Sequence, residues 1–230
     1  MKELFENSGY FGIILTLFAY WFGVKVNKKF KYTVLNPILI ASALIIMFLI
    51  SANINYSVYK AGTSSISLLL TPSTICLAVP MYKQFNILKK YRRAVFLSVL
   101  VGSVCAILTV ILSSMLFGFN IITTKSLMPK SITTAIALGV SNEIGGIPTI
   151  TVMAVVLTGI IGAISAERIC KIFKITNPVA IGLAHGTSAH AIGTSKALQI
   201  GELEGAMSSV AIIIAGLITV FIIPIIMHIL

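Results

Sequence analysis

The chain has 230 residues, of which 57% are apolar and only 10% are charged, and its formal net charge is +11. A soluble domain has about 25% charged residues, so this composition excludes a soluble globular fold and favours a membrane protein. The basic residues flank apolar runs instead of forming one exposed face, which excludes a nucleic-acid-binding protein.

Runs without charge predict the membrane-spanning helices in chain order. A helix needs about 17–25 residues to cross the hydrocarbon core. The runs of this size are 7–24, 33–59, 61–82, 94–117, 144–166, 175–195 and 205–230. Run 131–142 is too short to cross and predicts a re-entrant segment or half-helix. We therefore expect an all-α polytopic membrane protein, a single transmembrane domain over 1–230 with seven spans and one short half-helix.

The distribution of Lys and Arg predicts the orientation in the membrane. Cytoplasmic loops collect these residues, so clusters 25–31, 83–93 and 167–174 are expected inside, with 12 of the 17 basic residues, and 196–204 outside. This arrangement requires 131–142 to enter the membrane and return, or to stay buried in protein, since a full crossing would place 167–174 outside. The sequence thus predicts a multi-pass cell-membrane protein with its N-terminus outside and its C-terminus inside.

A weak internal repeat indicates inverted symmetry. An offset of 114 residues relates Pro72-Ser73-Thr74 to Gly186-Thr187-Ser188 and Gly102 to Gly216. With the orientation above, three spans run opposite to three others, as in inverted-repeat transporters. The predicted parts are a first helix and basic loop (1–32), repeat 1 (33–117), a linker with the half-helix (118–146) and repeat 2 (147–230).

Three interrupted segments predict a solute site near the middle of the membrane. A break in a spanning helix is tolerated only where protein or water satisfies the backbone, so breaks point inward. Pro72 interrupts the third span, segment 184–195 is rich in Gly, Ser, Thr and His, and the third segment runs from Met128 to Pro148 and contains Lys130. A helix that starts at such a break directs N–H groups and a positive dipole end toward a small carboxylate.

The alternatives are close helix packing by small and hydroxyl residues and, for Lys130 and Glu143, a position at the membrane interface. The candidate substrate-binding residues are Thr71, Ser73, Thr74, Lys130, Ser131, Thr133, Thr134, Asn142, Gly186, Thr187, Ser188 and Thr194. Glu143 and His190 are the candidates for proton coupling, because each is a titratable group in apolar sequence. No catalytic triad order, phosphate loop, CxxC motif or pair of histidines on one helix face occurs, so no enzyme, metal or cofactor is expected.

Three motifs resemble the LrgB/CidB family: PKSITT at 129–134, IGGIP at 144–148 and GLAHGTSAHAIGT at 182–194. The resemblance implies an antiholin-like protein that acts with a small LrgA/CidA-type membrane partner on murein hydrolase export and lysis. It also implies transport of small monocarboxylates, because the plastid relative is a glycolate/glycerate translocator and bacterial members are associated with pyruvate transport. Transport by alternating access agrees with the interrupted helices; an antiholin that moves no solute and a channel are the rival hypotheses. The expected partners are a small carboxylate, the lipid bilayer and an LrgA/CidA-like protein, and assembly as a homo-oligomer is left open.

Overall fold

The structure, a computed structural model, describes residues 10–30, 37–69, 72, 75–76 and 78–229. These residues form α-helices joined by short turns, with no strand among them. The chain divides into two compact units, residues 1–76 and 77–230. The predicted site residues Thr71, Ser73 and Thr74 lie outside the described residues.

Unit 1 contains four described helices: α1 (Phe11–Phe30), α2 (Pro37–Ser51), α3 (Tyr56–Gly62) and α4 (Ser64–Leu68). The prediction of one helix over 33–59 is wrong, because α2 ends after 15 residues and the chain turns at Asn53, whose φ is 52°. Helix α1 packs against α3, where Thr16 Oγ1 lies 2.8 Å from Tyr59 Oη.

Unit 2 begins with α5 (Ala78–Lys83), α6 (Phe85–Phe117) and α7 (Ile121–Leu127). It continues with α8 (Thr134–Glu143), α9 (Pro148–Ile172), α10 (Pro178–Ile200) and α11 (Glu202–Ile229). Among the described helices, three are long and apolar enough to cross a membrane: Phe85–Phe117, Pro148–Ile172 and Glu202–His228. These helices support a membrane protein, but they do not reach the predicted count of seven spans.

The two ends of unit 2 differ in their charges. Lys83 Nζ lies 3.4 Å from Glu202 Oε1, and Lys196 Nζ lies 3.3 Å from Glu167 Oε2. Residues 83–93, 167–174 and 196–204 therefore share one end, which we call the basic end. Helices α6, α9 and α11 connect it to the opposite, distal end, where Thr151 Oγ1 donates to the Ser126 carbonyl over 2.9 Å.

This arrangement corrects the predicted topology. Segment 196–204 was expected on the opposite side of the membrane from 83–93 and 167–174, but the ion pairs bring the three together. Helix α11 leads from Glu202 at the basic end to the distal end. The prediction placed the C-terminus on the same side as 167–174. That prediction is wrong, because the end of α11 lies at the distal end.

Helix α10 is a hairpin of two half-helices, not the interrupted but crossing span predicted for 175–195. His190 interrupts it with φ 39° and ψ −130°. A Cβ built on Gly193 would collide with the His185 carbonyl, although a continuous helix would separate these residues by a rise of about 12 Å. Both arms pack on the same part of α11, since Gly186 lies against the Ser208 carbonyl and Thr194 Oγ1 lies 2.7 Å from Ser208 Oγ. The hairpin therefore enters from the basic end and returns to it.

Residues 121–143 form a second element that turns back inside unit 2. Met128 and Val140 belong to one hydrophobic cluster near the distal end. Between them in sequence, Ile132 and Ala137 belong to the other cluster, with Val99 and residues of α9 to α11. The chain thus enters from the distal end, turns at 128–133 and leaves along α8. The prediction that this short segment does not span is consistent with the ten-residue length of α8, a rise of about 15 Å.

Candidate functional site

Unit 2 encloses a cavity of about 800 Å³ between α6, α9, the first arm of α10 and the turn at 128–133. Tyr91, Ile169 and Asn177, which are exposed at the basic end, line one part of it. Lys130 and Ser131 line it from the turn of the element that enters from the distal end. The cavity therefore lies where the two turned-back elements approach each other.

Lys130 gives the cavity its charge. Its Nζ lies 3.5 Å from Ser131 Oγ, and no carboxylate among the described residues lies within ion-pairing distance. Lys130 is partly buried. Removing a cation from water is unfavourable unless an anion or hydrogen-bond acceptor compensates it. An anion in the cavity would provide that compensation.

Thr187 and Ser188 also line the cavity, as the sequence predicted, but not as a helix start. Ser188 Oγ donates to the Ala184 carbonyl over 2.6 Å, the spacing of a regular helical turn. The break lies after them, at His190, so the predicted half-helix starting at 186–188 is wrong. An anion here would be bound by side chains and not by the N–H groups of residues 186–188.

Sequence reasoning missed the contribution of α6. Ser98, Gly102, Cys105 and Thr109 face the cavity at spacings of four, three and four residues. Gly102 leaves room for Thr187, because a Cβ there would lie 2.7 Å from Thr187 Cγ2. A search for small and polar residues at helical periodicity within the apolar run 94–117 would have found this stripe.

Several predicted substrate-binding residues do not line the cavity. Thr133 is the N-cap of α8 and Thr134 its first residue, while Asn142 is exposed at its other end. Gly186 packs on α11, and Thr194 is fully buried in the second arm of the hairpin. These residues support the two turned-back elements without reaching the cavity.

The two proton-coupling candidates also lie away from the cavity lining. Glu143 is exposed at the end of α8. His190 is buried at the tip of the hairpin, where Nε2–H donates to the Val155 carbonyl over 2.9 Å. Its ring packs on Gly159, where a Cβ would lie 2.6 Å from His190 Cε1. His190 thus fixes the hairpin tip against α9.

Comparison with known proteins gives the family. The model of the LrgB-like family matches residues 16–229. The chain belongs to the LrgB family. It is 38% identical over 219 residues to proteins named antiholin-like protein LrgB from Bacillus cereus (strain B4264) and Bacillus anthracis (strain A0248). The alignment covers 95% of this chain and 95% of each of these relatives. No solved structure matches this LrgB-family protein.

Proposed function

We propose that this LrgB-family protein transports small monocarboxylates such as pyruvate, lactate, glycolate or glycerate by alternating access. The observation that carries the proposal is Lys130, a partly buried cation without a carboxylate partner among the described residues, in a cavity with hydroxyl groups. A single positive charge matches a monoanion, and hydrogen bonds to a charged group are stronger than those between neutral groups.

The arrangement of unit 2 supports alternating access. Helical elements that enter from opposite ends and approach each other are a feature of transporters with inverted repeats. The cavity has exposed lining residues at the basic end. At the distal end, Thr151 Oγ1 donates to the Ser126 carbonyl and lies 2.7 Å from Ser141 Oγ. We propose that this is the state open toward the basic end, and that the opposite state requires the hairpin α10 to move relative to α9.

The proposed orientation follows from the charges of unit 2. Nine of its eleven Lys and Arg residues lie in 83–93, 168–174 and 196, which share the basic end. By the positive-inside rule this end faces the cytoplasm, and the C-terminus then lies outside. The cavity would therefore take its solute from, or release it to, the cytoplasm. A cell membrane is the proposed location.

Proton coupling through His190 and Glu143 stays a prediction. Each is a titratable side chain, but neither lines the cavity. If either acts, it does so through movement of its helix and not through contact with the solute. Glu143→Gln tests the first role and His190→Gln the second: loss of accumulation driven by a pH gradient, with exchange retained, would assign coupling to that residue.

The experiment that tests transport is uptake by purified protein in proteoliposomes. Labelled pyruvate, lactate, glycolate and glycerate are offered with and without a pH gradient, and preloaded vesicles are used for counterflow. Saturable uptake with counterflow is expected. Uptake at the rate of empty vesicles for all four acids would contradict transport, and unsaturable flux without counterflow would indicate a channel.

The second candidate function is modulation of a holin-like partner without movement of a solute. The printed name of the relatives, antiholin-like protein LrgB, favours this function more directly than it favours transport. It would involve a small LrgA/CidA-like membrane protein and affect murein hydrolase activity and lysis. The two functions can be distinguished in cells that express such a partner. Lys130→Met would abolish transport, but if the protein is purely modulatory this variant would retain its effect on lysis.

A further inference from the structure

The lining of the cavity changes along its length. Lys130, Ser131 and Thr187 supply polar groups where the two turned-back elements approach each other. Toward the basic end most of the lining is apolar, and it includes Ala94, Ile169, Ile175, Val179 and Ala180. The cavity is therefore amphipathic, with a cation at one part and an apolar channel leading away from it.

The cavity is also larger than a three-carbon acid requires. It measures about 800 Å³, and pockets of roughly 300–1,000 Å³ hold drug-sized ligands. The α6 residues that line it extend from Tyr91 to Thr109, a helical rise of about 27 Å. A pyruvate ion at Lys130 would leave the apolar part unfilled.

We propose that the cavity prefers monocarboxylates with an apolar chain, such as hexanoate, over shorter acids. The carboxylate lies at Lys130 and the chain extends along α6 toward Ala94. This inference rests on the proposed function, since it names the substrate class of the same site. Each added methylene group that leaves water for the apolar lining should lower Kd about fourfold.

The test is equilibrium binding of labelled propionate, butyrate, pentanoate and hexanoate to the purified protein in lipid nanodiscs. Empty nanodiscs measure partition into lipid, which is subtracted. We expect Kd to fall about fourfold with each methylene group. Lys130→Met should weaken the binding of all four acids by a similar factor and leave the dependence on chain length unchanged.

A second variant tests where the chain lies. Ala180 is exposed in the apolar part of the cavity, so Ala180→Asp leaves the helix packing intact. Ala180 lies seven residues from Thr187 on the same arm, a rise of about 10 Å, which a ten-carbon acid reaches and propionate does not. Ala180→Asp should therefore weaken decanoate binding at least tenfold and leave propionate binding within about twofold. Equal weakening of both acids would contradict the proposed position of the chain.

The failures of the two proposals are distinguishable. If Kd is the same for all four acids while pyruvate uptake is saturable, the preference for apolar chains is wrong and transport stands. If no acid binds and no pyruvate uptake occurs, both proposals are wrong. A Kd that rises with chain length would also overturn the inference, because it would show that the outer part of the cavity excludes apolar groups.

Discussion

Replacing Thr187 by Val removes one hydroxyl group from the cavity and keeps the shape of the side chain. The methyl group of Thr187 lies against Gly102, and no described residue accepts or donates a hydrogen bond at its hydroxyl. That hydroxyl is therefore able to donate to a bound carboxylate. A hydrogen bond to a charged group contributes about 1.5–3 kcal/mol, so Thr187→Val should weaken pyruvate binding roughly ten- to a hundredfold.

Ser188→Ala is the matched control on the same helix. The Ser188 hydroxyl already donates to the Ala184 carbonyl over 2.6 Å, so its proton is not available to an anion. We expect less than about threefold weakening from this change, although the sequence placed both hydroxyls among the candidate substrate-binding residues. Binding is measured by scintillation proximity with labelled pyruvate, beside the Tm of each variant. If both variants bind pyruvate as the unmodified protein does and only their Tm values fall, Thr187 is a packing residue and our placement of the carboxylate is wrong.

Two further predictions concern the hairpin α10. Gly193→Ala should destabilise the protein by about 1–3 kcal/mol and lower its Tm, because the new methyl group collides with a carbonyl of the facing arm. The control Gly139→Ala meets open space and should leave Tm unchanged or slightly higher. Equal Tm values for the two variants would show that the arms are not in contact. In a variant without native cysteines, Asn177→Cys and Gln199→Cys should react with an impermeant maleimide from the same side of the membrane, and Ile122→Cys should react from the other side. Labelling of residues 177 and 199 from opposite sides would mean that α10 crosses the membrane.

Part of the fold could be predicted because its signals are local. The apolar runs correctly predicted α6, α9 and α11. The helix ends differ from the ends of the runs by up to nine residues, because charged residues at the basic end continue the helices. The run 131–142, too short to cross, predicted a short helix, which the structure places at Thr134–Glu143.

The reversal at His190 could not be predicted. A positive φ at a residue other than glycine has no sequence signal, because it is imposed by packing, here on Gly159 and the Val155 carbonyl. The ion pair between Lys196 and Glu167 joins residues distant in sequence, so charge counting placed them on opposite sides.

The candidate site was predictable where residue type alone reveals it. Lys130 in apolar sequence and the pair Thr187-Ser188 were identified, and they line one cavity. The stripe on α6 was missed because Ser98 and Thr109 are unremarkable inside a long apolar run. Asn142 was assigned to the site because it belongs to the same short segment as Lys130, but it is exposed. The sequence does not show which end of a short helix lies near the cavity.

The most direct test of the account compares two lysines of the same segment. Lys130 lines the cavity, whereas Lys125 lies in the last turn of α7 and does not. In proteoliposomes with equal amounts of folded protein, Lys130→Met should reduce the initial rate of labelled pyruvate counterflow at least tenfold at low concentration, and Lys125→Met should leave it within about twofold of the unmodified protein. Unchanged counterflow in Lys130→Met, or equal losses in both variants, would contradict the assignment of the cavity as a carboxylate site.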